Sequence, residues 1–219
     1  MPGLLPHIDP DGLLEYSVVF TDRSLNHMSQ KFQRVMNDIS LTLKGVYNAR
    51  GVVVVPGGGT FGMEAVARQF ARDQRCLVIR DGYFSYRWSQ ILEMGGLSDE
   101  VTVLKAAPVS DKPRAPFAPA PIDEVVARIE AEQPAMVFAP HVETSAGMIL
   151  PDDYIASAAE ATRAAGGLFV LDCVASGTVW VDMQALGVDV LISAPQKGWS
   201  STPCSALVML GDRALARLE

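Results

Sequence analysis

Apolar residues along the chain follow two patterns. Phe32, Val35, Met36, Ile39, Leu43 and Val46 recur at three- and four-residue steps. This spacing predicts one long amphipathic helix over 24–46, with Ser24 as its N-cap. Beyond it the pattern changes to short apolar runs at 51–55, 76–80, 101–104, 135–139, 168–171, 188–192 and 205–210. Helical spacing returns between most of these runs, at 61–72, 84–95, 122–132 and 152–165. Strands alternating with helices predict a mainly parallel sheet covered on both faces. The runs are continuous rather than alternating, as strands buried on both sides require. The expected fold is α/β: a three-layer sandwich around a mainly parallel seven-stranded sheet. An N-terminal segment, 1–50, carries the long helix, and the sheet domain occupies 51–219. The proline-rich stretch 106–121 reads as a surface excursion between a strand and the next helix.

Composition narrows the function classes. The chain has 219 residues, 49% of them hydrophobic, enough to build a core without disulfide or metal staples. Its 25 acids outnumber its 18 bases, giving a net charge of −7, so the basic stripe of a nucleic-acid binder is not expected. The apolar runs are strand-sized, too short to span a membrane. No secretory pattern marks the first residues, so a cytoplasmic location is expected. Cys76, Cys173 and Cys204 are then expected as small buried thiols. None has metal-ligand spacing, and no metal is expected.

In open α/β sheets, ligands bind outside the carboxyl ends of the strands, so the chemistry is sought just after the runs. After 51–55 comes Pro56-Gly57-Gly58-Gly59-Thr60, leading into a helix. Adjacent glycines allow an anion close to the backbone, the helix start offers free N–H groups, and Thr60 adds a hydroxyl. Gly57, Gly59 and Gly62 also spell a GxGxxG, with Asp81 after the next strand, which keeps a dinucleotide-binding oxidoreductase open. No Gly-Lys-Ser/Thr follows the glycines, which excludes a Walker-type loop. The second strand end is Asp172, closing LFVLD, a desolvated acid in need of a cation or donor. The third is Ser193-Ala194-Pro195-Gln196-Lys197-Gly198-Trp199. There Lys197 is expected to point into the crevice, and a buried lysine is an amine nucleophile. Phosphate cradle, carboxylate and reactive lysine together match pyridoxal 5′-phosphate: the cradle for its phosphate, Asp172 for its ring nitrogen, Lys197 for the imine.

The chain resembles the class V aminotransferases of fold type I, in particular the alanine–glyoxylate and serine–glyoxylate branch. The resemblance is carried by PGGGTFGMEAVAR (56–68), RDGYFSYR (80–87), HVETSAGMI (141–149), the run 171–203 and SALVML (205–210). It implies that Gly58, Gly59 and Thr60 hold the cofactor phosphate with Gln196 beside it. Phe84 would stack on the ring, in a place where many members have tryptophan. Thr144 would lie near the ring hydroxyl and Val174 under the opposite face, while Asp172 and Lys197 are the catalytic pair. Gln196 and Phe84 stand where cysteine desulfurases favour histidines, which favours transamination. His141, a lone histidine at a strand end, is expected to be structural. The resemblance further implies a homodimer acting on small amino acids and 2-oxo acids such as glyoxylate or pyruvate. A 2-aminoethylphosphonate–pyruvate aminotransferase or a desulfurase-like enzyme is the alternative within the family. Family members continue into a small C-terminal domain that supplies the arginine for the substrate carboxylate. The chain is therefore expected to be truncated and of doubtful activity alone.

Overall fold

The computed structural model describes residues 30–218. Two compact units divide the chain, Met1–Leu41 and Thr42–Glu219. In the first, residues 30–41 form the opening turns of helix α1 (Gln30–Tyr47). Phe32, Met36 and Ile39 are half-buried there, whereas Val35, placed by its spacing on the same apolar stripe, stands 40% exposed. The expected N-cap, Ser24, lies outside the described residues.

The second unit is built on seven strands: β1 (Gly51–Pro56), β2 (Cys76–Arg80), β3 (Val101–Lys105), β4 (Met136–Pro140), β5 (Leu168–Asp172), β6 (Val190–Ser193) and β7 (Ser205–Leu210). They pair in the order β1-β7-β6-β5-β4-β2-β3. Six strands point the same way, and β7 runs antiparallel to both its neighbours. The exception has a simple cause. A parallel return needs a long crossover, usually a helix, and the connection 194–204 contains none. The other connections carry α2 (Gly59–Phe70), α3 (Tyr86–Met94), α4 (Ile122–Glu132) and α5 (Asp152–Ala164), while α7 (Asp212–Ala216) follows β7. The short helix α6 (Met183–Leu186) was not anticipated, although its signals are local. The Asp182 side chain accepts the Ala185 N–H at 2.9 Å, and Gly187 closes the helix at φ 73°.

Alternation within the strands separates the two helical layers. Cys76 and Val78, Met136 and Phe138, Leu168 and Val170, Val190 and Ile192, and Val208 and Leu210 share one core with α2, α3 and α7. Trp88 of α3 lies there against Phe138, ring centroids 4.4 Å apart. The intervening residues, such as Leu77, Val137, Phe169 and Leu191, are equally buried on the other face, where α5 packs on β5 and α4 on α5. Inside 106–121 a two-residue ladder joins 107–108 to 117–118, and a second joins 142–143 to 148–149. Cys76 and Cys173 are buried free thiols, but Cys204 is exposed, because it lies in the helix-free connection before β7 rather than in a strand. Among the described residues no helix is long and apolar enough to cross a membrane.

Candidate active site at the carboxyl end of the sheet

β2 has β3 on one side and β4 on the other, so successive connections diverge there and leave a crevice at the carboxyl ends of the strands. A cavity of ≈ 230 Å³ lies at these ends. Residues following β1, β2, β4, β5 and β6 line it, among them Gly59, Thr60, Phe84, Thr144, Asp172, Val174, Gln196 and Lys197. Eight of the nine expected residues therefore share one wall. Gly58 is the ninth, and it is the N-cap of α2 rather than part of the lining.

Gly58 has extended backbone and offers α2 no side-chain cap. The Phe61 and Gly62 N–H groups turn back to its carbonyl, at 2.8 and 3.3 Å. The N–H groups of Gly59 and Thr60 are left at the open end of the helix, where the helix dipole favours negative charge. Gly59 is required by close approach: a Cβ there would fall 2.7 Å from Val174 Cγ2. Arg87, in the first turn of α3, donates from Nη1 to Thr60 Oγ1 at 3.1 Å and brings a guanidinium to the same wall.

Asp172 ends β5 and is 8% exposed. Its Oδ1 accepts the Val174 N–H at 2.9 Å. Burial pushes its carboxyl up to about 6; the Val174 N–H and the Arg87 guanidinium hold it back, and the like charge of Glu143 adds to the rise. Beside it, His141 is 1% exposed and its Nδ1 lies 2.7 Å from Ser176 Oγ. The His141 N–H donates to the Asp172 carbonyl at 2.9 Å, so this histidine ties the ends of β4 and β5 together and does not line the cavity.

Lys197 lines the cavity but is not the buried amine that its position suggested. Ala194 and Pro195 are buried, and the chain then emerges over Gln196–Ser200, leaving Lys197 exposed. The turn is braced from behind. A Cβ on Gly198 would lie 1.9 Å from the Gly177 carbonyl oxygen, so only glycine lets the two loops meet. Trp199 packs against Trp180 and Tyr47, with centroids 4.8 and 6.2 Å away. Gln196 Oε1 is buried without a hydrogen-bond partner among the described residues.

Phe84 is 45% exposed, in the turn after β2. Thr144 is also exposed, at the start of a tight turn in which its carbonyl accepts the Gly147 N–H at 3.3 Å. Met63, Arg87, Val142 and Ala175 line the cavity without having been singled out from the sequence. Arg87 left a usable signal, since it follows Phe84 by three residues at the start of a helix. Asp81, which a dinucleotide reading would assign to a ribose, is 3% exposed and lies outside the cavity lining. Burial and the charge of Glu143 push its carboxyl up to about 7.

Comparison with known proteins gives this arrangement a family. The aminotransferase class-V family matches residues 13–209. An L-aspartate–glyoxylate aminotransferase of Paracoccus denitrificans is 26% identical over 199 residues, 90% of this chain and 48% of the relative. A 2-aminoethylphosphonate–pyruvate transaminase of Burkholderia mallei is 32% identical over 170 residues, 76% of this chain and 42% of the relative. The crystal structure of an alanine–glyoxylate aminotransferase from Nostoc sp. superposes with a TM-score of 0.75 at 26% identity, covering 90% of this chain and 50% of that one. The chain thus spans about half the length of the curated relatives it matches. The sheet is that of the fold type I aminotransferases. The chain belongs to the class V aminotransferase family.

Proposed function

We propose that this chain carries the cofactor-binding machinery of a pyridoxal-phosphate-dependent aminotransferase. The reaction would move an amino group from a small amino acid, of alanine or serine type, to a 2-oxo acid such as glyoxylate or pyruvate. The observation that carries the reading is the shared cavity, where an uncapped helix start, an arginine, a buried acid and a lysine face one space. Their chemistry fits the cofactor. The Gly59 and Thr60 N–H groups, the Thr60 hydroxyl and Arg87 suit a phosphate, whereas the orphaned Gln196 Oε1 is an acceptor and calls for a donor. Phe84 and Val174 offer apolar faces for a planar ring, and Thr144 a hydroxyl for its edge.

When bound, the cofactor supplies an electron sink for the substrate α-carbon. The protein's residues do the rest. Asp172, with proton affinity raised by burial, holds a proton at the ring nitrogen, and the ion pair offsets the cost of the buried charge. Lys197 is the amine that would anchor the cofactor; set free when the substrate amine replaces it there, its Nζ would take the α-proton and return it on the other side of the transferred nitrogen. Phe84 and Val174 orient the ring. We assign the homodimer and the cytoplasmic location on family resemblance.

The test is direct. Borohydride reduction of the chain with pyridoxal phosphate should leave a stable adduct on the peptide containing Lys197, read by mass spectrometry. Lys197→Ala should abolish it. An adduct that persists on other lysines in the variant, or none in the wild type, would falsify the assignment. The 32% identity to a 2-aminoethylphosphonate–pyruvate transaminase favours a second donor class. Turnover of 2-aminoethylphosphonate against alanine and serine separates the two.

A further inference from the structure

We propose that Glu143 is a positioning residue that fixes the Phe84 ring over the cavity by gripping the backbone of the turn after β2. The proposal rests on the cofactor reading above. Glu143 is 1% exposed, and a carboxylate buried so deeply needs donors. It finds them in the turn after β2 and in its neighbour Ser145. Oε1 accepts the Phe84 N–H at 3.1 Å and the Ser145 hydroxyl at 2.5 Å. Oε2 accepts the Ser85 N–H at 2.8 Å and the Ser85 hydroxyl at 2.6 Å.

The two serines extend the grip. Ser145 Oγ accepts the Tyr83 N–H at 2.8 Å, and Ser85 Oγ accepts those of Asp81 and Gly82 at 2.9 and 3.1 Å. Five consecutive backbone N–H groups, 81–85, therefore end on one carboxylate and the two hydroxyls bonded to it. Gly82 marks how close the turn and the acid come, since a Cβ there would lie 2.7 Å from Glu143 Cδ. Burial alone would raise the Glu143 carboxyl; the bonds from Ser145, Ser85 and Phe84 outweigh it and hold the group below its ordinary value.

The clamp matters because packing does not hold Phe84. Its side chain is 45% exposed, and its ring neighbour Tyr83 is 64% exposed. A half-exposed ring keeps one direction only if its backbone is fixed, and Glu143 fixes that backbone from 59 residues away. Such an acid acts on the cofactor through Phe84 without lining the cavity itself.

The experiment is a double-mutant cycle on the 219-residue chain, with pyridoxal phosphate affinity read by absorbance or fluorescence titration. Glu143→Gln keeps the volume but turns an amide donor toward the Phe84 or the Ser85 N–H. It should weaken binding by about tenfold. Phe84→Leu should weaken it as well, and the double variant should be no worse than Phe84→Leu alone, because both changes remove one contact. In the cofactor-free chain, hydrogen exchange at the Phe84 and Ser85 amides should quicken in Glu143→Gln. Ser145 is exposed, so Ser145→Ala provides a mild second variant; it should keep the fold and lose a few-fold in affinity. Should Glu143→Gln fail to fold, Ser145→Ala carries the cycle with the same criterion. Additive losses in the double variant, or unchanged affinity in Glu143→Gln or Ser145→Ala, overturn the proposal while wild-type binding still stands. A wild-type chain that binds no pyridoxal phosphate overturns the cofactor reading and this proposal with it.

Discussion

Asp172 and Asp189 stand at opposite ends of neighbouring strands, and both are buried, at 8% and 3% exposure. At the amino end, Asp189 Oδ2 accepts the Phe169 N–H at 2.8 Å and the Arg213 guanidinium at 2.9 Å. Burial still raises its carboxyl, against the pull of the Phe169 N–H and of Arg213 and Arg163. At the carboxyl end, Asp172 has the Val174 N–H and the cavity. Arg87, whose charge acts on it, is bonded to Thr60 instead and reaches Asp172 only through space. One acid is satisfied by its own chain and holds the sheet together. The other is left short of a partner where a ligand can supply one. Under-pairing toward the cavity, more than burial, separates this candidate functional acid from the structural one.

The largest expected effect is the pH dependence of Asp172. Its folded-state carboxyl is raised to about 6 from an ordinary 3.8. Between these values the folded chain keeps a proton that the unfolded chain has lost. Stability of the cofactor-free chain should therefore fall as pH rises through this window, by on the order of 3 kcal/mol, and be fully present only below it. Urea midpoints across the window measure the fall; Asp81, with its carboxyl raised to about 7, adds to it, so Asp172→Asn should remove only the Asp172 share and exceed the wild type at neutral pH. A wild-type stability that rises there instead would break the comparison.

Asp189→Ala is the opposite case. It strands the Phe169 N–H and the Arg213 guanidinium and should cost about 1–3 kcal/mol at neutral pH, read from the denaturation midpoint. Pyridoxal phosphate affinity should not move, since the residue lies at the far end of the sheet. The smallest effect sharpens the role of Arg87. Arg87→Met should weaken pyridoxal phosphate about tenfold and leave unphosphorylated pyridoxal nearly unchanged, by titration of both. Equal losses for the two ligands would detach Arg87 from the phosphate.

The elements themselves were legible because strands buried on both faces are written as continuous apolar runs. Cys76–Arg80, Leu168–Asp172 and Ser205–Leu210 lie within a residue of their expected places. The pairing order was not legible, nor was the reversal of β7, since both depend on which strand ends meet after the helices pack. At the site, Asp172 and Lys197 could be singled out because an ionisable group just beyond an apolar run is a local signal. Glu143 could not. Its partners in the turn after β2 lie 58 and 59 residues earlier, and Ser145 beside it does not point to them. The Tyr47–Trp180–Trp199 cluster behind Lys197 was hidden for the same reason.

By itself the sequence determined the alternation of strands and helices, and the residue types that stand at each strand end. Those depend on interactions within a few positions of the chain. Tertiary structure alone decided that these ends share one cavity, that Lys197 is exposed while Asp172 is buried, and that a carboxylate from beyond β4 holds the turn after β2. Desolvation and long-range hydrogen bonding create these properties, and neither exists until the sheet has closed.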